Sequence, residues 1–172
     1  DKQVESVLNT SLAEKNELSL NKEELKIDEF VQKIKNRVQL QIDASDAIFN
    51  ITVSGSTPRI VADKAHLQNA ICNLLDNSIK YTDSKPTITL NIYPQDDMLN
   101  FEVMDNGVGM SKETQKRVFD KFYRVQTGNI HNIKGFGIGL SYVKAIVDAH
   151  GGIIELNSKP NQGTSITLKI PV

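Results

Sequence analysis

Cysteine, excess charge of either sign and long apolar runs are all scarce in this sequence, and each scarcity excludes a class of protein. The single Cys72 excludes an intrachain disulfide and fits a reducing compartment. A net charge of −1 provides no basic surface for nucleic acid or anionic lipid. No apolar run approaches the ~20 residues of a membrane span, and the N-terminus does not resemble a signal peptide. These absences favour a soluble protein, or a soluble part of a larger one.

The length of 172 residues predicts one domain with a sizeable core and room for a short appendage. Neither an internal repeat nor a low-complexity tract is present. An apolar stripe at helical spacing begins at Val4 and ends before Glu14. A helix this short cannot bury its own apolar stripe, so the pattern predicts either a helix that packs on the domain or the end of a longer helix.

Glycine is concentrated in two clusters, Asp105-Asn-Gly-Val-Gly-Met110 and Gly135-Phe-Gly-Ile-Gly-Leu140. The second cluster leads directly into a helical pattern, where unpaired N–H groups and the helix dipole would bind an anion. This indicates a nucleotide phosphate, and the simpler alternative is a mobile surface loop before a C-terminal helix. No glycine precedes a lysine, which excludes a P-loop, and the spacing differs from a dinucleotide fingerprint.

The most informative helix is predicted from its N-cap, Asp63, to about Tyr81. Its buried face is predicted to contain Leu67, Ala70, Ile71, Leu74, Leu75 and Ser78. Asn73, Asn77, Lys80 and Tyr81 share a second face beside it. Asparagine is unfavourable within a helix, so two of them one turn apart predict oxygens directed at a metal–phosphate group, for which Mg²⁺ is suitable. The alternative is a solvated polar stripe.

Two alternating strands follow, and Asp105 continues the parity of the apolar residues of the second one. A carboxylate that faces an apolar layer requires hydrogen-bond donors. The amine of a bound base would supply one, and the alternative is a cap for the glycine turn that follows.

The remaining pattern completes the expected fold. It predicts an extended piece at 24–27, a helix capped by Asp28, a strand at 48–53, a stub at 59–61, a helix over 111–125, a polar lid over 126–134 and two closing strands through 154–156 and 166–170. The order predicts an α+β fold, a two-layer α/β sandwich with helices on one face of a mixed, mostly antiparallel sheet.

Four motifs carry a resemblance to a known family. They are Asn73-Leu-Leu-Asp-Asn-Ser-Ile-Lys-Tyr-Thr82, Asp105-x-Gly107-x-Gly109, Val118-Phe-Asp-Lys-Phe-Tyr-Arg124 and Gly135-x-Gly137-x-Gly139-Leu140. Together they resemble the N, G1, F and G2 boxes of the catalytic ATP-binding domain of two-component sensor histidine kinases. The resemblance covers residues 18–172 and implies that residues 1–17 are the truncated end of the dimerisation helix.

The resemblance implies a set of residues for the phosphate end of an ATP site. Asn77 would hold Mg²⁺ with Asn73 supporting it, Lys80 would reach the phosphates, and Arg124 would address the γ-phosphate. The lid hinge and the phosphate-facing helix end would be formed by Gly135, Gly137, Gly139 and Leu140. Phe136 stands where the family often has a small hydroxyl residue, which removes one expected phosphate contact.

The resemblance also implies how the base would be held. Tyr81 would lie against the adenine, with Phe122 also at the nucleotide. Asp105 would accept the exocyclic amine, while Gly107 and Gly109 would let the backbone approach the ring.

None of the three histidines, His66, His131 and His150, is followed by an acidic residue, as the phosphoacceptor of the family is. The resemblance therefore implies half an enzyme, whose acceptor histidine lies on a dimerisation domain absent from this chain. It also implies a response regulator downstream, a homodimeric full-length protein and a cytoplasmic domain without nucleic-acid or membrane contacts. Membrane anchoring of the full-length protein stays open.

Asn73 separates this chain from the ATPases of the same superfamily, such as gyrase B and the heat-shock chaperone. Those proteins carry a glutamate that activates water at this position, and an amide cannot act as a general base. Transfer is therefore favoured over hydrolysis. A nucleotide-sensing module without catalysis and a serine-directed anti-sigma kinase are further alternatives, and the phenylalanine box and N-terminal helix stub disfavour the latter.

Overall fold

A computed structural model of the protein describes residues 19–56, 59–124 and 136–172. The helices in these ranges are α1 (Ile27–Ala44), α2 (Lys64–Lys80), α3 (Lys112–Arg117) and α4 (Gly139–Ala149). The strands are β1 (Glu23–Leu25), β2 (Ile48–Val53), β3 (Ile60–Ala62), β4 (Thr87–Gln95), β5 (Met98–Asp105), β6 (Ile153–Ser158) and β7 (Thr164–Pro171). The predicted dimerisation-helix end and lid lie outside the described residues.

The main sheet has five strands in the order β2-β4-β5-β7-β6. Only β2 pairs in parallel, with β4, and the other neighbours are antiparallel. The predicted mixed, mostly antiparallel sheet is thus confirmed. The predicted stub at 59–61 becomes β3, which leaves the main sheet and pairs with β1 in a separate two-stranded sheet.

The core lies between one face of the main sheet and helices α1, α2 and α4. Along β4 and β5, apolar residues at alternate positions face the helices, where their side chains are buried. Phe101 of β5 meets Phe30 of α1 edge to face, with ring centroids 5.9 Å apart. The predicted buried stripe of α2 is confirmed at all of its positions.

The N-terminus of α2 is fastened at three points. Asp63 caps the helix as predicted, with Oδ1 accepting the His66 N–H at 3.0 Å. Asp63 Oδ2 accepts the Asn21 N–H at 2.8 Å, and the Asp63 N–H donates to His150 Nε2 at 2.9 Å. The start of α2 is thereby joined to the incoming chain and to the end of α4.

The predicted cap of α1 is wrong. Lys26 occupies the N-cap position, its side chain does not cap the backbone of the first turn, and Asp28 lies within that turn. The helix begins earlier because Ile27 belongs to its buried stripe. An acidic residue in the first turn still interacts favourably with the helix dipole.

The helix predicted over 111–125 is present but shorter, since α3 covers only Lys112–Arg117. Phe122 has φ of +60° and is 69% exposed, and this left-handed conformation cannot continue a helix. Its N–H donates instead to Gly137 O at 2.9 Å. This bond joins the residues before the predicted lid to those after it.

In the ranges that the structure describes, no helix combines the length and apolarity needed to cross a membrane.

Acid is expected to destabilise the fold through His150. This side chain is buried, accepts from Asp63 and donates from Nδ1 to Ile146 O at 2.7 Å, so it is held neutral. Burial lowers the pKa of His150 from its ordinary value of 6.5. The unfolded chain therefore takes up the proton first, and the free energy of unfolding falls as the pH drops below about 6.5.

Denaturant titrations between about pH 7.5 and 5.5 measure this loss of stability. His150→Gln should be less stable near neutrality and should show a shallower loss over the same interval. An equal pH slope in the variant contradicts the assignment.

Candidate functional site

A cleft of about 490 Å³ opens between the C-terminal half of α2, the start of α4, the loop after β5 and the turn between β6 and β7. Eight residues predicted from the sequence line it: Asn77, Tyr81, Asp105, Gly109, Arg124, Gly137, Gly139 and Leu140. Asn73, Lys80, Gly107 and Phe122 lie outside its lining. Gly135 lies outside the described residues. The fold thus brings together residues from all four motifs.

Asp105 is held by three donors at one end of the cleft. Its Oδ1 accepts from Gly107 N at 2.9 Å and Thr164 N at 3.0 Å, and its Oδ2 accepts from Ser78 Oγ at 2.9 Å. The predicted cap for the glycine turn is confirmed, and the carboxylate also lines the cleft, where acceptance of a base amine stays a prediction. Its remaining lone pair can accept a donor from a ligand.

Ser78 and Thr164 are site residues that the sequence reasoning missed. Ser78 was assigned to the buried stripe, and the signal was its hydroxyl, since a buried polar group requires a partner. Thr164 carries no such signal, because only the β5–β7 register places it opposite Asp105.

The glycines of the first cluster let one stretch of backbone approach another. A Cβ on Gly107 would stand 2.6 Å from Tyr81 O, and one on Gly109 would stand 1.9 Å from Lys159 O. The Val108 N–H also donates to Tyr81 O at 2.9 Å. These contacts hold the loop after β5 against α2 on one side and the β6–β7 turn on the other, which closes a wall of the cleft.

Only part of the polar face of α2 lines the cleft. Asn77 lines it, while Asn73 Oδ1 lies 3.7 Å from the point where a Cβ on Gly139 would stand. Lys80 forms an ion pair with Asp76 on its own helix. Asn77 therefore borders the cleft, Asn73 lies beside the start of α4, and the ammonium group of Lys80 is paired with Asp76.

No side chain in the described part of the chain caps the start of α4. Its N-cap residue is Ile138, and the first helical residues, Gly139 and Leu140, line the cleft. Gly137 precedes it with φ of +71°, and a Cβ there would stand 2.8 Å from Tyr123 O. An uncapped helix start offers N–H groups to an anion.

Few of the described residues that line the cleft are charged. Among the described residues that line it, Asp105 is the only carboxylate and Arg124 the only cation. Tyr123 also lines the cleft and stacks under Arg117 at 4.6 Å from the ring centroid. The arrangement can accept an amine at one end and bind an anion at the other.

The family described as histidine kinase-, DNA gyrase B- and HSP90-like ATPase matches residues 62–172. Sensor protein RprX of Bacteroides fragilis is 38% identical over 172 residues, which cover 99% of this chain and 33% of that protein. The chain thus spans about a third of that relative's length.

Two solved structures share the architecture. Full-length ShkA in complex with AMPPNP gives a TM-score of 0.86 at 22% identity, covering 99% of this chain and 35% of that one. Mycobacterial sensor histidine kinase MprB gives 0.73 at 27% identity, covering 87% of this chain and 97% of that one. The family match covers α2, the glycine loop, the start of α4 and the β6–β7 turn, which together build the cleft. The chain therefore belongs to the histidine kinase-, DNA gyrase B- and HSP90-like ATPase family.

Proposed function

We propose that this chain is the catalytic domain of a protein-histidine kinase in a two-component system. It binds ATP in the cleft and transfers the γ-phosphoryl group to a histidine on a dimerisation domain. The full-length protein is then a homodimer that passes the phosphoryl group to a response regulator. The names of the sensor proteins it resembles and the shared fold support this proposal.

The observation that carries the proposal is the hydrogen bonding of Asp105, the one carboxylate among the described residues that line the cleft. Asp105 already accepts three hydrogen bonds, so it is a poor base for activating water. Asn73, beside the start of α4, bears an amide that cannot take a proton. A cleft that binds a nucleotide without a water-activating base is suited to phosphoryl transfer, which depends on positioning and charge stabilisation.

At the base end, Asp105 accepts the exocyclic amine of adenine and Tyr81 lies beside the ring. The backbone of Gly107 and Gly109 holds the loop that bounds this end, and Phe122 is exposed outside the cleft lining. At the phosphate end, Arg124 and the N–H groups that begin α4 bind the phosphate oxygens. Lys80 reaches the phosphates only after it leaves Asp76.

The residues present fit Mg²⁺ as a partner of the phosphates. Among the described residues, no three histidine, cysteine or acidic side chains are grouped so that they could hold a metal ion. Magnesium prefers oxygen ligands and usually keeps waters and phosphate oxygens in its shell. Asn77 would supply the protein ligand and Asn73 would orient it. Bound there, the ion would neutralise phosphate charge.

Steady-state phosphate release tests the preference for transfer. The chain alone should bind ATP yet release phosphate slowly, because the described residues of its cleft include no general base suited to activating water. Asn73→Glu, which restores a carboxylate at that position, should increase the release rate, whereas Asn69→Glu one turn earlier should not. Rapid release by the wild-type chain that does not respond to changes at Asn73 contradicts the proposal.

A further inference from the structure

A buried hydroxyl lies just behind the base end of the cleft. Ser158, the last residue of β6, is 9% exposed and does not line the cleft. The register Asp105–Thr164–Ser158 runs across β5, β7 and β6, so the three side chains share the face of the sheet that bounds the cleft. Asp105 and Thr164 line the cleft, and Ser158 stands behind Thr164.

The contacts of Ser158 determine where its single proton goes. Ser158 Oγ lies 2.9 Å from Gly163 O, 2.9 Å from Met110 N and 2.9 Å from Thr164 Oγ1. A carbonyl only accepts and a backbone N–H only donates. The Ser158 proton therefore goes to Gly163 O, and its lone pairs accept from Met110 N and from the Thr164 hydroxyl.

This arrangement leaves the Thr164 oxygen as an acceptor toward the cleft, because its own proton is committed to Ser158. The same reasoning applies to Ser78, whose proton is donated to Asp105 Oδ2. The side-chain oxygens of Asp105, Ser78 and Thr164 are then all acceptors. Three acceptor oxygens favour a nucleobase that presents an amine, and they disfavour a nucleobase that presents a carbonyl.

We propose that Ser158 is a positioning residue that sets base specificity by fixing the direction of the Thr164 hydroxyl. This inference rests on the proposed nucleotide-binding function. Ser158 acts through Thr164 and does not touch the nucleotide.

The test compares ATP with inosine triphosphate, which carries a carbonyl where adenine carries its amine. Calorimetry should show that the wild-type chain binds ATP more tightly than inosine triphosphate. In Ser158→Ala the Thr164 hydroxyl can rotate and donate into the cleft, so the ATP preference should fall at least about fivefold, as expected for one hydrogen bond. Ser165→Ala, next to Thr164 and bonded to Glu102 on the other face of the sheet, should keep the wild-type preference.

A double-mutant comparison separates positioning from a general structural effect. If Ser158 acts through Thr164, then Ser158→Ala should not change the ATP preference further in a Thr164→Val background. An equal loss in both backgrounds overturns the inference, as does an ATP preference unchanged in the folded Ser158→Ala variant. Failure of the wild-type chain to bind ATP at all refutes the nucleotide site itself, which is a distinguishable result.

Neutron diffraction from deuterated wild-type crystals gives a measurement that does not depend on the variant folding. A deuteron on Thr164 Oγ1 directed at Ser158 supports the inference. A deuteron on Ser158 Oγ directed at Thr164 overturns it.

Discussion

Asn77→Ala is expected to abolish phosphoryl transfer to a separately supplied dimerisation domain that bears the acceptor histidine. The amide lines the cleft and would ligate the metal–phosphate group, so its loss misplaces the reacting phosphate and lowers the rate roughly a hundredfold or more. Transfer by the wild type should itself be slow and dependent on concentration, because the covalent tether between the domains is missing. Acid-labile label on the acceptor domain, after incubation with labelled ATP, measures the reaction.

Circular dichroism should be unchanged in Asn77→Ala, since the side chain is not part of the buried stripe of α2. Asn69→Ala removes an amide on the same helix outside the cleft and should transfer at the wild-type rate. Without the acceptor domain the chain should remain unlabelled. His150 uses both ring nitrogens within the fold, and His66 Nδ1 lies 2.9 Å from Tyr142 Oη. Stoichiometric, Asn77-dependent phosphate on any histidine of the chain contradicts the half-enzyme assignment.

Asp105→Asn is expected to weaken ATP binding by about tenfold to a hundredfold while sparing the fold. One amide oxygen can still accept from Gly107 N and Thr164 N, and the Ser78 hydroxyl can turn to accept from the new NH₂ group. The lost interaction is a charge-assisted hydrogen bond to the adenine amine, worth about 1.5–3 kcal/mol. Isothermal calorimetry gives the affinity and thermal unfolding reports on the fold.

Asp148→Asn is the matched control for this substitution, because it changes an acidic residue that pairs with Lys144 at the surface of α4. It should bind ATP with wild-type affinity. Equal ATP affinity in Asp105→Asn assigns this carboxylate to the glycine turn alone and removes it from base recognition.

Local pattern was sufficient to predict the parts of the fold that depend on burial. The stripe of α2 and the alternation of β4 and β5 each place apolar side chains on one face, and burial of such a face determines the element. The side-chain cap at Asp63 follows from local hydrogen bonding. The same parity argument placed Asp105 on the face that bounds the cleft.

Features that depend on contacts between distant parts of the chain were not predictable in this way. The Thr164 N–H reaches Asp105 only because β5 and β7 pair in one register. Phe122 is not helical, and its N–H donates to the carbonyl oxygen of Gly137, which follows the predicted lid in the sequence. No pattern within a single element reports such partners.

The hydrogen bond from Phe122 N to Gly137 O has a consequence for how this domain can vary. It brings Phe122 N to 2.9 Å from Gly137 O, so the two ends of the intervening segment lie side by side. Each doubling of a closed loop adds only about 0.6 kcal/mol of closure entropy. A change in the number of residues between these two ends is therefore expected to cost little in closure entropy, while the sheet and the adenine end of the cleft keep their geometry.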